Sequence, residues 1–357
     1  MDNFEYPYIE VEGDPHDIGL QVGEKAKAQI NNSIGVYTKT LQKELGVNWK
    51  DIAKYAEKYI ECIMEYDNEI VEEMRGIAEG SGNNFSDIVA LNARTELLGK
   101  SKDMLDGCTA FGVNNEASQN NENYIGQNWD FYTRLKDSMI VLKIKQKNKP
   151  NILMLAEGGL VGKIGFNSNG IGVCLNMLQT QNNCMGVPTH IILRGILNSQ
   201  NIVDAIGAIT RFGLASAANY LIGNDTGTLL DVEADPTDFD VLFDKNGIIT
   251  HTNHIVSVKL LDLKEKGRYE HPDTYVRKMR IDKSLNKATG KVTIDDIKIA
   301  LRDHEGYPDS ICRHDNPNDP EHTRASTVAS LIMNLSKKEM LVTSGNPCKS
   351  NYKKYKL

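Results

Sequence analysis

The chain has 357 residues, with 41 Lys+Arg against 48 Asp+Glu for a formal net charge of −7, and 40% of its residues are hydrophobic and 7% aromatic. A chain of this length carries a sizeable core without disulfides or metals, as one large domain or as two. A mildly acidic balance with no basic block argues against nucleic-acid binding, and no run approaches the roughly 18 apolar residues of a membrane span. The acidic start MDNFEYPYIEVEGD has no apolar core of a secretory signal, so the expectation is a cytoplasmic protein that engages neither nucleic acid nor membrane.

The first hundred residues read as helical. Residues 16–45 space Ile18, Val22, Ala26, Ile30, Ile34, Tyr37 and Leu41 at close to helical period. Asn48 is placed to cap a second helix, with Ile52, Ala56, Tyr59, Ile63, Ile70, Met74 and Ile77 on one face and Gly80-Ser81-Gly82 at its end. Ser86, with Asp87 in the first turn, reads as the cap of a short helix through Leu91. At Asp106-Gly107 the texture changes. CTAFGV (108–113) and YIGQN (124–128), joined by a polar turn, predict a hairpin, and strands follow in 138–145, 152–156, 161–166 and 171–177. Helices are expected at 189–199 and 201–212, then strands at 218–223, 228–233, 239–243 and 247–251. Residues 257–290 read as a polar, Lys-rich linker, followed by a helix capped by Thr293 and strands at 328–334 and 339–345. The order helical segment, meander, helix pair, meander favours packed antiparallel sheets flanked by helices over a βαβ repeat.

Six scattered cysteines, at 62, 108, 174, 184, 312 and 348, form no Cys-x-x-Cys pair and read as free thiols. Cys108, where the helical segment stops, is either a buried residue opening a strand or a nucleophile. If the Gly107–Cys108 bond were cut, the α-amino group of Cys108, with a reference pKa of about 7.7–8.0, would serve as its base. A glycine before the cysteine leaves the scissile carbonyl uncrowded. The hairpin returns Gly126-Gln127-Asn128-Trp129-Asp130-Phe131 towards Cys108, so that Asp130 can orient the α-ammonium, with Trp129 and Phe131 as candidate pocket residues. In His251-Thr252-Asn253-His254 the two histidines face opposite sides of an extended segment, and the Asn253 amide is the plausible oxyanion donor. Arg324, in Thr323-Arg324-Ala325-Ser326-Thr327, is placed to pair with Asp130 or with a substrate carboxylate. His304, Cys312, His314 and His322 could together hold Zn²⁺. Their spacing fits no standard ligand pattern and Pro317 and Pro320 interrupt them, so a solvated loop is preferred and no metal or other cofactor is assigned.

These motifs resemble the isopenicillin N acyltransferase (acyl-CoA:6-aminopenicillanate acyltransferase) family, a self-cleaving group of N-terminal nucleophile hydrolases. The resemblance extends through Gly13-Asp14-Pro15, Gly19, Gly23, Gly76-Ile77-Ala78-Glu79-Gly80, Ala90-Leu91-Asn92-Ala93-Arg94-Thr95-Glu96 and Asp106-Gly107-Cys108-Thr109. It continues through the 126–131 motif, Gly165-Phe166-Asn167-Ser168, Gly186-Val187-Pro188-Thr189-His190, the 251–254 motif and Ser310-Ile311-Cys312-Arg313.

The resemblance implies an α+β fold, an αββα sandwich made as an inactive precursor. Self-cleavage would give a helical α-subunit, 1–107, and a catalytic β-subunit, 108–357, with Gly107, Cys108 and Thr109 at the cut. It assigns the nucleophile to Cys108, the active-site aspartate to Asp130, the oxyanion asparagine to Asn253 and the arginine to Arg324 rather than Arg313. Ala110 replaces a threonine of the family pattern, so a hydroxyl that could assist cleavage is missing. The expected function is hydrolysis of small N-acyl or aminoacyl amides through an acyl-Cys108 intermediate. The alternatives are acyl-CoA-dependent N-acyl transfer and an unprocessed binding protein. The expected partners are a small amide or thioester substrate and, after cleavage, the other subunit or a second copy of the chain.

Overall fold

A computed structural model describes residues 5–99, 107–263, 265, 271–288 and 290–357. Two sheets, antiparallel but for one edge strand, pack face to face between helical layers, so the αββα arrangement expected from the sequence is the one observed.

The chain opens with a strand, β1 (Tyr8–Gly13), and six helices follow: α1 (Pro15–Lys25), α2 (Lys27–Leu45), α3 (Trp49–Ala56), α4 (Ile60–Ser81), α5 (Phe85–Asn92) and α6 (Arg94–Leu98). The expected 16–45 helix is thus broken at Ala26. Asn48 caps α3, its Oδ1 accepting from Asp51 N at 3.0 Å. The next cap is Asn84 and not Ser86, because Asn84 N donates to Asp87 Oδ2 at 3.0 Å and the helix already begins at Phe85. Two glycine pairs let α1 and α4 cross backbone to backbone. A methyl group at Gly19 would stand 2.0 Å from Glu73 O, and one at Gly76 would stand 2.2 Å from His16 O.

The larger sheet runs in the order β1, β4 (Met139–Gln146), β5 (Ile152–Glu157), β6 (Ile164–Asn167), β7 (Gly172–Met177), β8 (Ala218–Gly223), β9 (Leu229–Asp235) and β10 (Asp238–Phe243). Only β1 is parallel to its neighbour, β4. The sequence reading takes 8–13 as part of a helical region. The alternation Ile9/Val11 in, Glu10/Glu12 out is a strand's period, and it places the N-terminus on the edge of a sheet built by the rest of the chain. Helices α7 (Thr189–Leu197) and α8 (Ile202–Thr210) join the covering layer on this side.

The smaller sheet has the order β11 (Ile248–His251), β2 (Thr109–Val113), β3 (Tyr124–Tyr132), β12 (Ala325–Asn334), β13 (Glu339–Ser344) and β14 (Lys353–Lys356). Its outer face carries Phe111, Val113 and Ile248 against Ile281, Leu285, Ile297 and Leu301. Those last residues belong to α9 (Asp273–Asn286) and α10 (Ile294–Leu301). The second of these starts from the predicted Thr293 cap, whose Oγ1 accepts from Asp296 N at 3.1 Å. The first lies inside the stretch read as a linker. It escaped notice because its inward stripe is Thr274, Arg277, Ile281 and Leu285, half of it polar.

Candidate active site

The β2–β3 hairpin sets the register of the site. Thr109 pairs with Asn128 and Ala110 with Gln127. Continuing that register by two residues sets Gly107 opposite Asp130. The contacts agree: a methyl group built on Gly107 would lie 3.3 Å from Asp130 Oδ2 and 2.5 Å from Arg313 Nη1. Asp106, the first residue of the expected cleavage motif, lies outside the described residues.

Side chains alternate along these strands. Cys108 and Ala110 point into the space between the sheets with Trp129 and Phe131, whereas Phe111 and Val113 face the outer helices. Cys108 is 2% exposed. Trp129 and Phe131, expected as pocket residues, therefore share the Cys108 side of the sheet. Lys163 Nζ stands 4.4 Å from the Trp129 ring and the Arg94 guanidinium 4.8 Å from the Phe131 ring.

Two side chains converge on the backbone and hydroxyl of the cysteine–threonine step. Arg277 Nη1 donates to Cys108 O at 2.8 Å and to Thr109 Oγ1 at 3.2 Å. Asn176 Nδ2 donates to the same carbonyl at 3.1 Å. The orientation of that amide follows from its other end, where Asn219 Nδ2 donates to Asn176 Oδ1 at 3.4 Å and to Asp231 Oδ1 at 2.9 Å. Asn253 is linked to Cys108 O through Arg277, whose Nη2 donates to Asn253 Oδ1 at 3.2 Å. The Asn253 amide nitrogen donates to Met177 O at 3.1 Å. Asp273 accepts from Arg277 Nε at 2.8 Å. Burial alone would raise the Asp273 carboxyl, but the charges of Arg277 and Arg313 outweigh it and hold the group below its usual value.

Asp130 accepts from Thr327 Oγ1 at 2.6 Å, and Thr327 Oγ1 in turn accepts from Arg313 N at 2.9 Å. Thr327 pairs with Asp130 across β3 and β12. The Thr323–Thr327 run thus reaches the aspartate, but through its threonine. Arg324 precedes β12 by one residue, about 10 Å along the strand from Thr327 at roughly 3.3 Å per residue. Its Nε and Nη2 donate to Asp319 O and Pro317 O, both at 3.1 Å. The structure brings Cys108, Asp130 and Asn253 into one neighbourhood, does not bring Arg324 there, and sets Arg313 in its place, with its guanidinium also paired to Asp309.

His251 ends β11 and His254 lies in the bend after it, and the two occupy different surroundings. His251 Nε2 lies 2.7 Å from Glu233 Oε1. Burial would lower the imidazole, but Glu233 and Asp231 overcome it and hold it above its usual value. His254 is pushed down to about 4, chiefly by burial. Of the residues weighed as metal ligands, His322 pairs with Glu44 at 2.6 Å. His304, Cys312 and His314 meet elsewhere, with Cys348. Sequence reasoning did not single out Asn176, Arg277 or Cys348, and it named Arg313 only to set it aside for Arg324. Asn176 carried a signal, a lone amide inside the apolar run IGVCLNM.

A buried cysteine just before a strand, an adjoining glycine and a set of fixed donors thus stand together at the start of β2. A family model described as acyl-coenzyme A:6-aminopenicillanic acid acyl-transferase matches residues 117–349. The acyl-coenzyme A:6-aminopenicillanic-acid-acyltransferase 40 kDa form of Emericella nidulans is 30% identical over 345 residues, which cover 95% of this chain and 93% of that protein. The chain belongs to the acyl-coenzyme A:6-aminopenicillanic acid acyl-transferase family. Among solved structures, a variant of conjugated bile acid hydrolase from Clostridium perfringens aligns with TM-score 0.48 and 12% identity, over 70% of this chain and 97% of that one. Penicillin V acylase from Agrobacterium tumefaciens aligns with TM-score 0.44 and 11% identity, over 66% and 83%. Among the described residues no helix is long and apolar enough to cross a membrane.

Proposed function

We propose that the chain cuts itself between Gly107 and Cys108 and that the freed Cys108 hydrolyses small N-acyl or aminoacyl amides. The observation that carries this reading is the cradle around the Gly107–Cys108 step: Asp130 and Arg313 against the glycine, and Arg277 and Asn176 on the cysteine carbonyl.

In maturation the Cys108 sulfur adds to the Gly107 carbonyl carbon. The C–N bond then breaks as its nitrogen takes up a proton, leaving a thioester that water hydrolyses. The products are segments 1–107 and 108–357. The two donors on the Cys108 carbonyl stay in place through this change, so the new N-terminal residue remains clamped while its amine is released beside Asp130.

In turnover the α-amine, with an ordinary pKa of about 7.7–8.0, accepts the thiol proton, and the sulfur attacks the substrate carbonyl. Asn253 serves the oxyanion by turning its amide from Met177 O to the substrate. The amine then protonates the leaving nitrogen, and water releases the acyl group from Cys108. Trp129 and Phe131 supply the apolar wall.

Acyl transfer from a coenzyme A thioester to an amine is the second reading. The names of the family model and of the Emericella nidulans relative favour it. Both readings share the acyl-Cys108 intermediate and differ in its acceptor.

Mass spectrometry tests maturation. Wild type is expected as two pieces and Cys108→Ala as one chain of 39.8 kDa. A wild type that stays uncut yet turns over amides overturns the self-cleaving reading. A panel of N-acyl amino acids, aminoacyl amides and penicillins, with and without acyl-CoA, separates the two acceptors; thioester-dependent transfer exceeding hydrolysis overturns the preference for water.

A further inference from the structure

We propose that His304, Cys312, His314 and Cys348 form a structural Zn²⁺ site that fixes Arg313 beside the nucleophile. Their ligand atoms all lie within 4.8 Å of one another. His304 Nε2 is 3.1 Å from His314 Nε2, and Cys312 Sγ is 3.5 Å from Cys348 Sγ. The mixed edges, His314 Nε2 to Cys348 Sγ and to Cys312 Sγ, are 3.5 and 3.7 Å.

A tetrahedral zinc with Zn–S of about 2.3 Å and Zn–N of about 2.0–2.1 Å has edges of about 3.8 Å between sulfurs, 3.6 Å between sulfur and nitrogen and 3.3 Å between nitrogens. The four measured edges lie within about 0.3 Å of those lengths, and the one between nitrogens is the shortest. Two thiolates would neutralise the dication. Two sulfurs and two imidazoles suit zinc over magnesium or calcium, which prefer oxygen. Four protein ligands complete the coordination, so the ion would be structural and would hold no position for substrate.

The surroundings support the same assignment. Asn346 Nδ2 points at Cys312 Sγ from 3.7 Å and donates to Arg313 O at 2.6 Å, as an outer-shell amide steadying a thiolate ligand does. Cys312 and His314 are buried, while His304 and Cys348 are exposed, which gives an ion a way in. The ligands come from the loop after α10 and the loop between β13 and β14, so the ion would staple two segments that share no strand pairing. Cys312 and His314 flank Arg313. With two alternate residues turned to the metal, the residue between them turns the other way, towards Gly107. This site stands independently of whether the chain cleaves itself.

The test is elemental analysis of the full chain, purified under reducing conditions and dialysed, beside Cys348→Ser and His304→Asn. Both substitutions fall on exposed ligands and leave the core intact. One zinc per chain is expected in wild type, with at least tenfold weaker retention in each variant and a lower Tm on zinc removal. Co²⁺ exchanged into wild type is expected to show thiolate-to-cobalt charge transfer and tetrahedral ligand-field bands, both lost in Cys348→Ser. Wild type that takes up no zinc even when it is supplied overturns the site. So does zinc retained unchanged in both variants, or a Cys312–Cys348 disulfide in the reduced preparation.

Discussion

The Arg313 guanidinium lies against Gly107, so close that a methyl group on the glycine would stand 2.5 Å from Nη1, while Asp130 Oδ2 would lie 3.3 Å from the same point. A side chain at position 107 therefore has to move a buried, ion-paired arginine. Gly107→Ala is expected to slow appearance of the 108–357 piece about a hundredfold, the usual penalty for a displacement near 1 Å at reacting atoms. A time course by intact mass checks it.

Arg313 and Arg324 separate cleanly as test positions. Arg313→Gln is expected to lose maturation or turnover with the fold retained. Arg324→Gln, which gives up only hydrogen bonds to loop carbonyls, is expected to keep both. Rates of the two variants, with circular dichroism as the control for folding, decide between the arginines.

Arg277 is buried and serves Cys108 O, Thr109, Asn253 and Asp273 at once. Arg277→Met leaves the Asp273 carboxylate without its close ion-pair partner. A loss of about 3–5 kcal/mol is expected in denaturant titration, the range for breaking one side of a buried pair. Cleavage is expected to slow as well, because the cysteine carbonyl loses its shorter donor.

The segments on either side of Gly107–Cys108 are tied by buried polar contacts. Arg194 meets Glu73 through two parallel bonds of 2.8 and 2.6 Å, and Glu157 receives Arg94 and Tyr37, each at 2.5 Å. Strand β1 adds main-chain pairing with β4. After cleavage the two pieces are therefore expected to elute together in gel filtration. Glu73→Ala, which strands Arg194, is expected to cost about 3–5 kcal/mol in denaturant titration of the assembled protein.

The His251–Glu233 pair predicts a pH dependence. His251 is raised above its ordinary 6.5, so its contribution is complete below that value and is lost as pH climbs through the higher folded value. Glu233 is lowered below its ordinary 4.5, since its bonds to His251 and to the Val256 and Ser257 amides outweigh burial. Its contribution is complete above 4.5 and is lost as pH falls through the lower folded value. The pair thus contributes most between pH 4.5 and 6.5. Thermal melts from pH 6 to 9 should show Tm falling, and His251→Gln should flatten that slope.

The hairpin was legible because it is local: alternation fixes β2 and β3, and their register carries Asp130 back to Gly107 without reference to the rest of the chain. The Thr293 cap was legible for the same reason, its partner being Asp296. Helix α9 was not, because its buried face is made apolar enough only by what it packs against, and Arg277 on that face finds its partners at Cys108 and Asn253. Strand β1 was hidden by its shortness and by the helices that follow it.

Taken alone, the sequence pointed to the sandwich and the family resemblance and singled out Cys108 and the aspartate opposite the residue before it, because these lie in short motifs. Tertiary structure decided which arginine stands at Gly107, which amide holds the Cys108 carbonyl and which residue completes the cluster of His304, Cys312 and His314. The reason is distance along the chain: Asn176 lies 68 residues from Cys108, Arg277 lies 169 from it, and Cys348 lies 36 from Cys312. No local period relates such positions, and only the packing of two sheets and their outer loops brings them together.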